Sequence, residues 1–286
     1  MKTALLALGL IMSAAGTGFE ADLRAQSQIT VEPAKSSHLG FDRNDYPGDQ
    51  ILAALRRTFS YTGYWLNVPP GAKSDTWMGK RKVVRAAGFG FLVLFNGRLD
   101  AQLKKVRDAG DLGRLDADAA VDSAKREGFP AGTIIFLDQE EGGRMLPEQK
   151  AYIYAWVDGV NASGFRAGIY ASGIAAPEGH GATVITAEDI RQNAEGRNIV
   201  YWVTNDACPP SLGCAFPRRA PSPSESGVTF AEVWQFAQSP KRRDVARGCP
   251  PNYDRDGSCY APGLPREQRR FVDVNSALSE DPSGGR

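Results

Sequence analysis

Short runs in which nearly every residue is apolar or aromatic alternate along the chain with longer stretches whose apolar positions recur at helical spacing. His38–Phe41 leads into Asp42. Thr62–Val68 follows the helix-like stretch Asp49–Thr58, and Gly90–Phe95 follows Lys80–Ala87. Thr133–Leu137 follows Ala117–Glu127, in which Ala120, Val121 and Ala124 share one helical face. Arg166–Tyr170 follows a long helix expected over Pro147–Ser163, and Asn198–Val203 follows Ala187–Ala194. Glu232–Phe236 and Phe271–Val274 complete a set of eight strands. Repeated strand–helix units imply parallel strands, because a parallel crossover needs about a dozen residues or more. Eight such units over about 250 residues match a closed α/β barrel of the (β/α)8, TIM type in a single domain. A doubly wound open sheet is the alternative, but no G-x-G-x-x-G follows the first strand and no phosphate loop is present.

The two ends of the chain read differently from this rhythm. Lys2 precedes an uncharged apolar run, Thr3–Ala15, followed by small residues, which is the pattern of a secretory signal. The run is too short for a bilayer span, which takes about 20 apolar residues. Cleavage after Ala15 or after Ala25 fits equally, so residues 1–25 are expected to be removed and the product to be secreted or periplasmic. The barrel is expected over residues 36–278, and residues 279–286 (SEDPSGGR) read as a disordered tail. A formal charge of +1 argues against a nucleic-acid partner, which usually meets a basic excess. No second apolar run is long enough for a stable membrane span.

Cys208, Cys214, Cys249 and Cys259 all lie in Pro- and Gly-rich stretches of the last third. An even number of loop cysteines in an exported chain reads as two disulfides carried by late loops. Cys208 with Cys214 and Cys249 with Cys259 is the preferred pairing of three. Zinc is the rival reading, but the spacings are not C-x-x-C and no His is near. Asn252–Gly257 resembles the start of a calcium loop, yet the twelfth position is Gly263 rather than Glu. No metal is expected.

In a barrel the chemistry sits where strands end, so the residues after each apolar run carry the argument. Asp138-Gln139-Glu140-Glu141 follows the fourth strand. Alternation puts Asp138 and Glu140 on one face, roughly 6–7 Å apart along a strand. Crowded carboxyls raise one another's proton affinity, which suits one of them to donate a proton. Asp42 follows strand one and Asp273 closes strand eight, its neighbour in a closed barrel. Tyr64, Trp65, Asn96, Tyr170, Trp202, Trp234 and Gln235 lie at the same strand ends and could line a saccharide groove. Other chemistries lack support: two His residues, no G-x-S-x-G and no H-E-x-x-H are present.

Gly40-Phe41-Asp42, Phe136-Leu137-Asp138-Gln139-Glu140, Gly168-Ile169-Tyr170, Val200-Tyr201-Trp202, Trp234-Gln235 and Val272-Asp273-Val274-Asn275 come in an order that resembles the family 25 glycoside hydrolases, the lysozyme-like muramidases. The order is closer still to the glycoside-hydrolase-like domain of unknown function number 1906. The resemblance spans residues 38–276 and implies a (β/α) barrel acting on the β-1,4 link of amino-sugar polysaccharide such as peptidoglycan. It implies Glu140 as general acid, Asp138 orienting the substrate N-acetyl group and Asp42 positioning the substrate, with no cofactor. It also implies that Tyr170, Trp202 and Gln235 line the sugar groove and that Asp273 binds with Asp42; Tyr64 and Asn96 join the expected substrate-binding residues from their places at strand ends. The sequence departs from the muramidases after Asp42, in Arg43-Asn44-Asp45-Tyr46, and after strand three, in Asn96-Gly97-Arg98. A non-catalytic saccharide-binding barrel is the rival expectation.

Overall fold

The computed structural model describes residues 36–205, 219–237, 264 and 272–286. The expected signal segment, the four cysteines and the Asn252–Gly257 stretch lie outside the described residues. In chain order the elements are β1 (His38–Asp42), α1 (Leu52–Arg56), β2 (Tyr61–Trp65), α2 (Arg81–Ala86), β3 (Gly90–Asn96), α3 (Asp100–Leu103) and α4 (Ala109–Glu127). They continue with β4 (Ile134–Asp138), α5 (Pro147–Ala162), β5 (Arg166–Ser172), β6 (Ala175–Gly179), β7 (Ala182–Ile185), α6 (Thr186–Gln192), β8 (Val200–Thr204), β9 (Val233–Ala237) and β10 (Asp273–Ala277). Eight of the strands close a barrel in the order β1, β2, β3, β4, β5, β8, β9, β10. Strands β6 and β7 form a separate antiparallel hairpin between β5 and α6. The apolar alternation does not mark that hairpin, because Ala-Pro-Glu-Gly-His-Gly carries no strand periodicity.

The strands are buried on both faces, as barrel strands under a helical shell must be. Outward side chains feed the layer beneath the helices: Phe41 packs on Phe59 and Phe89, and Tyr64 on Trp77, Phe91 and Phe129. Inward positions alternate small and large, which is how a narrow barrel fills its own interior. A Cβ on Gly40 would sit 2.1 Å from the Tyr61 ring, and one on Gly168 would sit 2.4 Å from the Phe136 ring. Each glycine therefore vacates the space that an aromatic ring from the next strand occupies.

Helix α4 begins where the Asp108 carboxylate accepts from the Asp111 amide and ends at Gly128, at φ 81°. Its Asp116 is buried and accepts both nitrogens of the Arg98 fork as well as the Tyr152 hydroxyl. That contact ties the loop after β3 to α4 and α5. The loop is thereby fixed at the mouth end of the barrel.

Two expectations are corrected. The last strand is not parallel: β10 runs antiparallel to both β9 and β1. An antiparallel neighbour needs no crossover to the far end of the barrel. Asp273 therefore opens β10 rather than closing it, and it reaches the mouth as the register partner of Asp42.

Residues 279–286 are not a disordered tail. Pairing of β3 with β4 starts only at Val93 and Ile135, which leaves the first backbone groups of β3 without a β4 partner. The tail supplies partners instead. Asp281 Oδ1 accepts from Phe91 N–H at 2.7 Å and Ser283 Oγ from Val93 N–H at 2.8 Å. The Ser283 amide donates to the Phe91 carbonyl at 2.9 Å, and the Ser283 carbonyl accepts from Ile134 N–H at 2.8 Å. Ser, Gly and Pro composition hid this role, because the contacts are made by backbone groups and two short polar side chains. Ser283→Ala should destabilise the fold by about 1–3 kcal/mol, the cost of leaving the buried Val93 amide unpaired. Thermal or denaturant unfolding of the two proteins measures it, and equal midpoints would show that the tail is only resting on the barrel.

Candidate active site

Three carboxyl groups meet at the end of the barrel where the parallel strands finish. Asp42 closes β1, Asp138 closes β4, and Glu140 follows two residues later. Asp42 and Asp138 are 5% and 4% exposed, whereas Glu140 is exposed at the rim. Gln139 turns away between them and is buried, its backbone N–H donating to the Tyr170 carbonyl. The alternation expected for the D-x-E stretch is thus present. Glu141 does structural work instead, accepting from Asp100 N–H and from the Gln149 side chain.

Asp42 is held by amides. Gln235 Nε2 donates to its Oδ1 at 3.0 Å, and Asn275 Nδ2 donates to the same oxygen at 2.7 Å. Behind them, Tyr170 O–H donates to Gln235 Oε1 at 2.8 Å and Trp202 Nε1–H to Asn275 Oδ1 at 3.0 Å. The Tyr170 and Trp202 rings are in contact, with centroids 4.5 Å apart. Strands β5, β8, β9 and β10 therefore all contribute to the environment of one carboxyl on β1.

Burial pushes the Asp42 carboxyl up from 3.8 to about 6; the Asn275 and Gln235 hydrogen bonds oppose that shift, and the charge of Glu140 adds to it. Burial also raises Asp138 well above the usual carboxylate range, with Glu140 and Asp42 adding to the effect. Glu140 is raised by desolvation, but its hydrogen bond with Asp138 works the other way. The two side chains are hydrogen-bonded to each other, and burial favours the protonated form of each. A buried acid in contact with a carboxyl at the edge of solvent is suited to storing a proton.

The expected substrate-binding residues divide. Tyr170 and Gln235 are at the site, buried and engaged with each other. Asp273 sits across from Asp42 at the rim, half-buried. Asn96 stands at the mouth end of β3, where its side chain donates to the Val68 carbonyl and steadies the loop after β2. Tyr64 is elsewhere: it faces outward, and its hydroxyl donates to Glu127 and accepts from the Lys80 and Arg81 amides. The parity of β2 explains this, since Tyr61 and Gly63 occupy the inward positions. Trp202 is inward but only 1% exposed, so it fills the barrel beneath the acids and offers no face to a ligand. Asn275 was given no role from the sequence, though its place two residues after Asp273 puts it on the same strand face.

Among the described residues no group of three or more His, Cys, Asp or Glu is arranged to hold a metal ion. A groove of about 480 Å³ lies on the helical shell along α4 and α5, away from the three carboxyls. Its cations Arg114, Lys150 and Arg197 are already paired with acids. No helix among the described residues is long and apolar enough to cross a membrane.

The acid cluster also sets a pH dependence of stability. An unfolded Asp releases its proton near 4, whereas folded Asp42 and Asp138 keep theirs to higher pH. The folded state then binds more protons, so stability falls as pH rises from about 4 to about 7. Asp138→Asn removes a buried group that must lose its proton as pH rises, and supplies an N–H toward Glu140. At pH 7 its thermal midpoint should exceed that of the wild type, and the fall across this window should shrink. Calorimetry over a pH series tests this; a lower midpoint at every pH would contradict it.

Comparison with known proteins places this site in context. Residues 72–208 match the model of the Rv2525c-like, glycoside hydrolase-like domain, a stretch that includes Asp138, Glu140, Tyr170 and Trp202. No curated protein matches the chain. The crystal structure of an uncharacterized B. stearothermophilus protein is 21% identical, with a TM-score of 0.51 over 85% of this chain and 98% of that one, and shows the same fold. The Mycobacterium tuberculosis Tat-secreted protein Rv2525c in complex with L-tartrate is 13% identical, with a TM-score of 0.49 over 86% and 97% of the two chains. The catalytic domain of endolysin ply40 from bacteriophage P40 of Listeria monocytogenes is 14% identical, with a TM-score of 0.48 over 86% and 95%. The chain is therefore related, through residues 72–208, to the Rv2525c-like, glycoside hydrolase-like family, the relation to which its ordered motifs had pointed.

Proposed function

We propose that this protein is an exported glycoside hydrolase that cleaves amino-sugar polysaccharide, with peptidoglycan the first substrate to test. The observation that carries the reading is the hydrogen-bonded contact of buried Asp138 with exposed Glu140, with Asp42 beside them at the barrel mouth. A glycosidic oxygen leaves only when it is protonated. Glu140 is the member of the pair that a polymer can reach. As the leaving oxygen gains charge, the Asp138 proton crosses the hydrogen bond to Glu140, and Glu140 delivers its proton to that oxygen.

Asp138 is then a carboxylate and accepts a hydrogen bond from the N–H of the substrate's acetamido group. That bond directs the acetamido oxygen to the anomeric carbon, where it closes a ring as the glycosidic C–O bond breaks. Water, giving a proton to Glu140, then attacks the same carbon and reopens the ring, and the proton returns to the Asp138–Glu140 pair. Such assistance suits the geometry, because Asp138 and Glu140 touch, whereas an acid and an enzyme nucleophile flank the bond about 5–5.5 Å apart. Both carboxyls therefore act from one side of the substrate. Asp42 binds and positions the sugar from the opposite strand, with Tyr170, Gln235 and Asp273 around it. The apolar run behind Lys2 supplies export.

Release of new reducing ends from purified peptidoglycan tests the proposal, comparing the protein without its signal segment with Glu140→Gln. Loss of the proton donor should lower turnover by about 10²–10⁴-fold. Release by neither protein, with both still sedimenting with the polymer, would make this a saccharide-binding barrel. The pH profile is a second check. Asp42 must be charged to accept from substrate, so activity should rise as pH increases through about 6 and fall again once the pair loses its proton.

A further inference from the structure

We propose that Trp202 and Tyr170 are positioning residues: they fix the orientation of the Asn275 and Gln235 amides, so that Asp42 is held as an acceptor with its second oxygen kept for a donor group of the substrate. The inference rests on the glycosidase reading for its consequence but not for its geometry. A side-chain amide presents a donor at one end and an acceptor at the other, and a half-turn exchanges them. Indole N–H can only donate. Trp202 Nε1–H therefore selects the oxygen end of Asn275 and leaves Nδ2 facing Asp42.

The other arm needs one more group, because a phenol can donate or accept and turns its O–H to Gln235 when its oxygen accepts from elsewhere. The Thr204 hydroxyl hydrogen-bonds the Tyr170 oxygen, Tyr170 O–H meets Gln235 Oε1, and Gln235 Nε2 reaches Asp42. Every donor in both arms points toward one oxygen, Asp42 Oδ1. Hydrogen bonds that run in one direction reinforce each other in a buried setting. Gln235 and Asn275 are 2% and 0% exposed, so neither amide is set by bulk water.

The arms answer a problem created by the rest of the site. Asp138 and Glu140 face Asp42 from the end of β4, Tyr61 from β2, Tyr170 from β5 and Asp273 from β10. Burial and the charge of Glu140 favour a protonated Asp42, and the two amides oppose them. A flipped Asn275 would bring its oxygen against that carboxylate and remove half of the opposition. Asp42 would then carry a proton at the pH where the reaction needs an acceptor.

Trp202→Phe removes the indole donor and keeps a ring in the barrel. Tyr170→Phe removes one oxygen and leaves the interior filled, so it decides the question if the first variant does not fold. The readout is the titration of the Asp42 carboxyl carbon by NMR in protein labelled at aspartate, with Asp42→Asn identifying the signal. We expect the Asp42 midpoint to rise in both variants, by about one pH unit in Trp202→Phe, the size expected for a lost hydrogen bond to a charged group. The acid limb of kcat/KM should move up by the same amount, with the alkaline limb in place. An Asp42 midpoint unchanged in folded variants would overturn the proposal. A wild type that titrates as described yet releases no reducing ends would overturn the glycosidase reading, and the titration alone would still decide the positioning role.

Discussion

Taking carboxyl groups out of water together is the constraint around which this molecule is organised. A buried carboxylate without partners is prohibitively costly, and a protein ordinarily answers by neutralising it or surrounding it with donors. Both answers are used within one barrel mouth. Burial and the acids beside it favour a protonated Asp138 leaning on Glu140, whereas Asp42 is given two amide donors on a single oxygen. Two buried acids of the same chemical type thus sit in environments that push their proton affinities apart.

The scaffold serves this arrangement by being rigid where the acids stand. Aromatic rings from neighbouring strands fill the space left by Gly40 and Gly168 and give the polar layer a floor. Trp202 belongs to that floor and to the hydrogen-bond network at once, through its ring and its N–H. At the opposite end the last residues of the chain complete the sheet where β3 extends past β4. The Arg98–Asp116–Tyr152 contact holds the loop after β3 against two helices.

Much of the fold was legible in the sequence. Seven of the eight expected apolar runs, from His38–Phe41 to Glu232–Phe236, overlap strands of the barrel in the expected direction, because parallel strands under helices are apolar on both faces and stand out. The direction of β10 was not legible, since a short strand reads the same from either end. Residues 279–286 looked disordered because composition reports burial, and they are held mainly by hydrogen bonds. Asp42, Asp138 and Glu140 could be found from their places after strands. Tyr64 was misplaced by one step of strand parity, and Trp202 by treating a strand-end aromatic as a surface. Asn275 closes one of the ordered motifs but was given no role, because an amide two residues into a strand carries no signal of its own. Its importance appears only when Trp202 and Asp42 are brought to either side of it.

The hydrogen bond from Asn275 to Asp42 joins residues 233 positions apart in the chain. It lies on the seam where the last strand meets the first, and closing so long a loop is costly in chain entropy. Until β10 lies against β1, Asp42 lacks Asn275 and the indole behind it. The electrostatic setting of one carboxyl is thereby coupled to closure of the whole barrel.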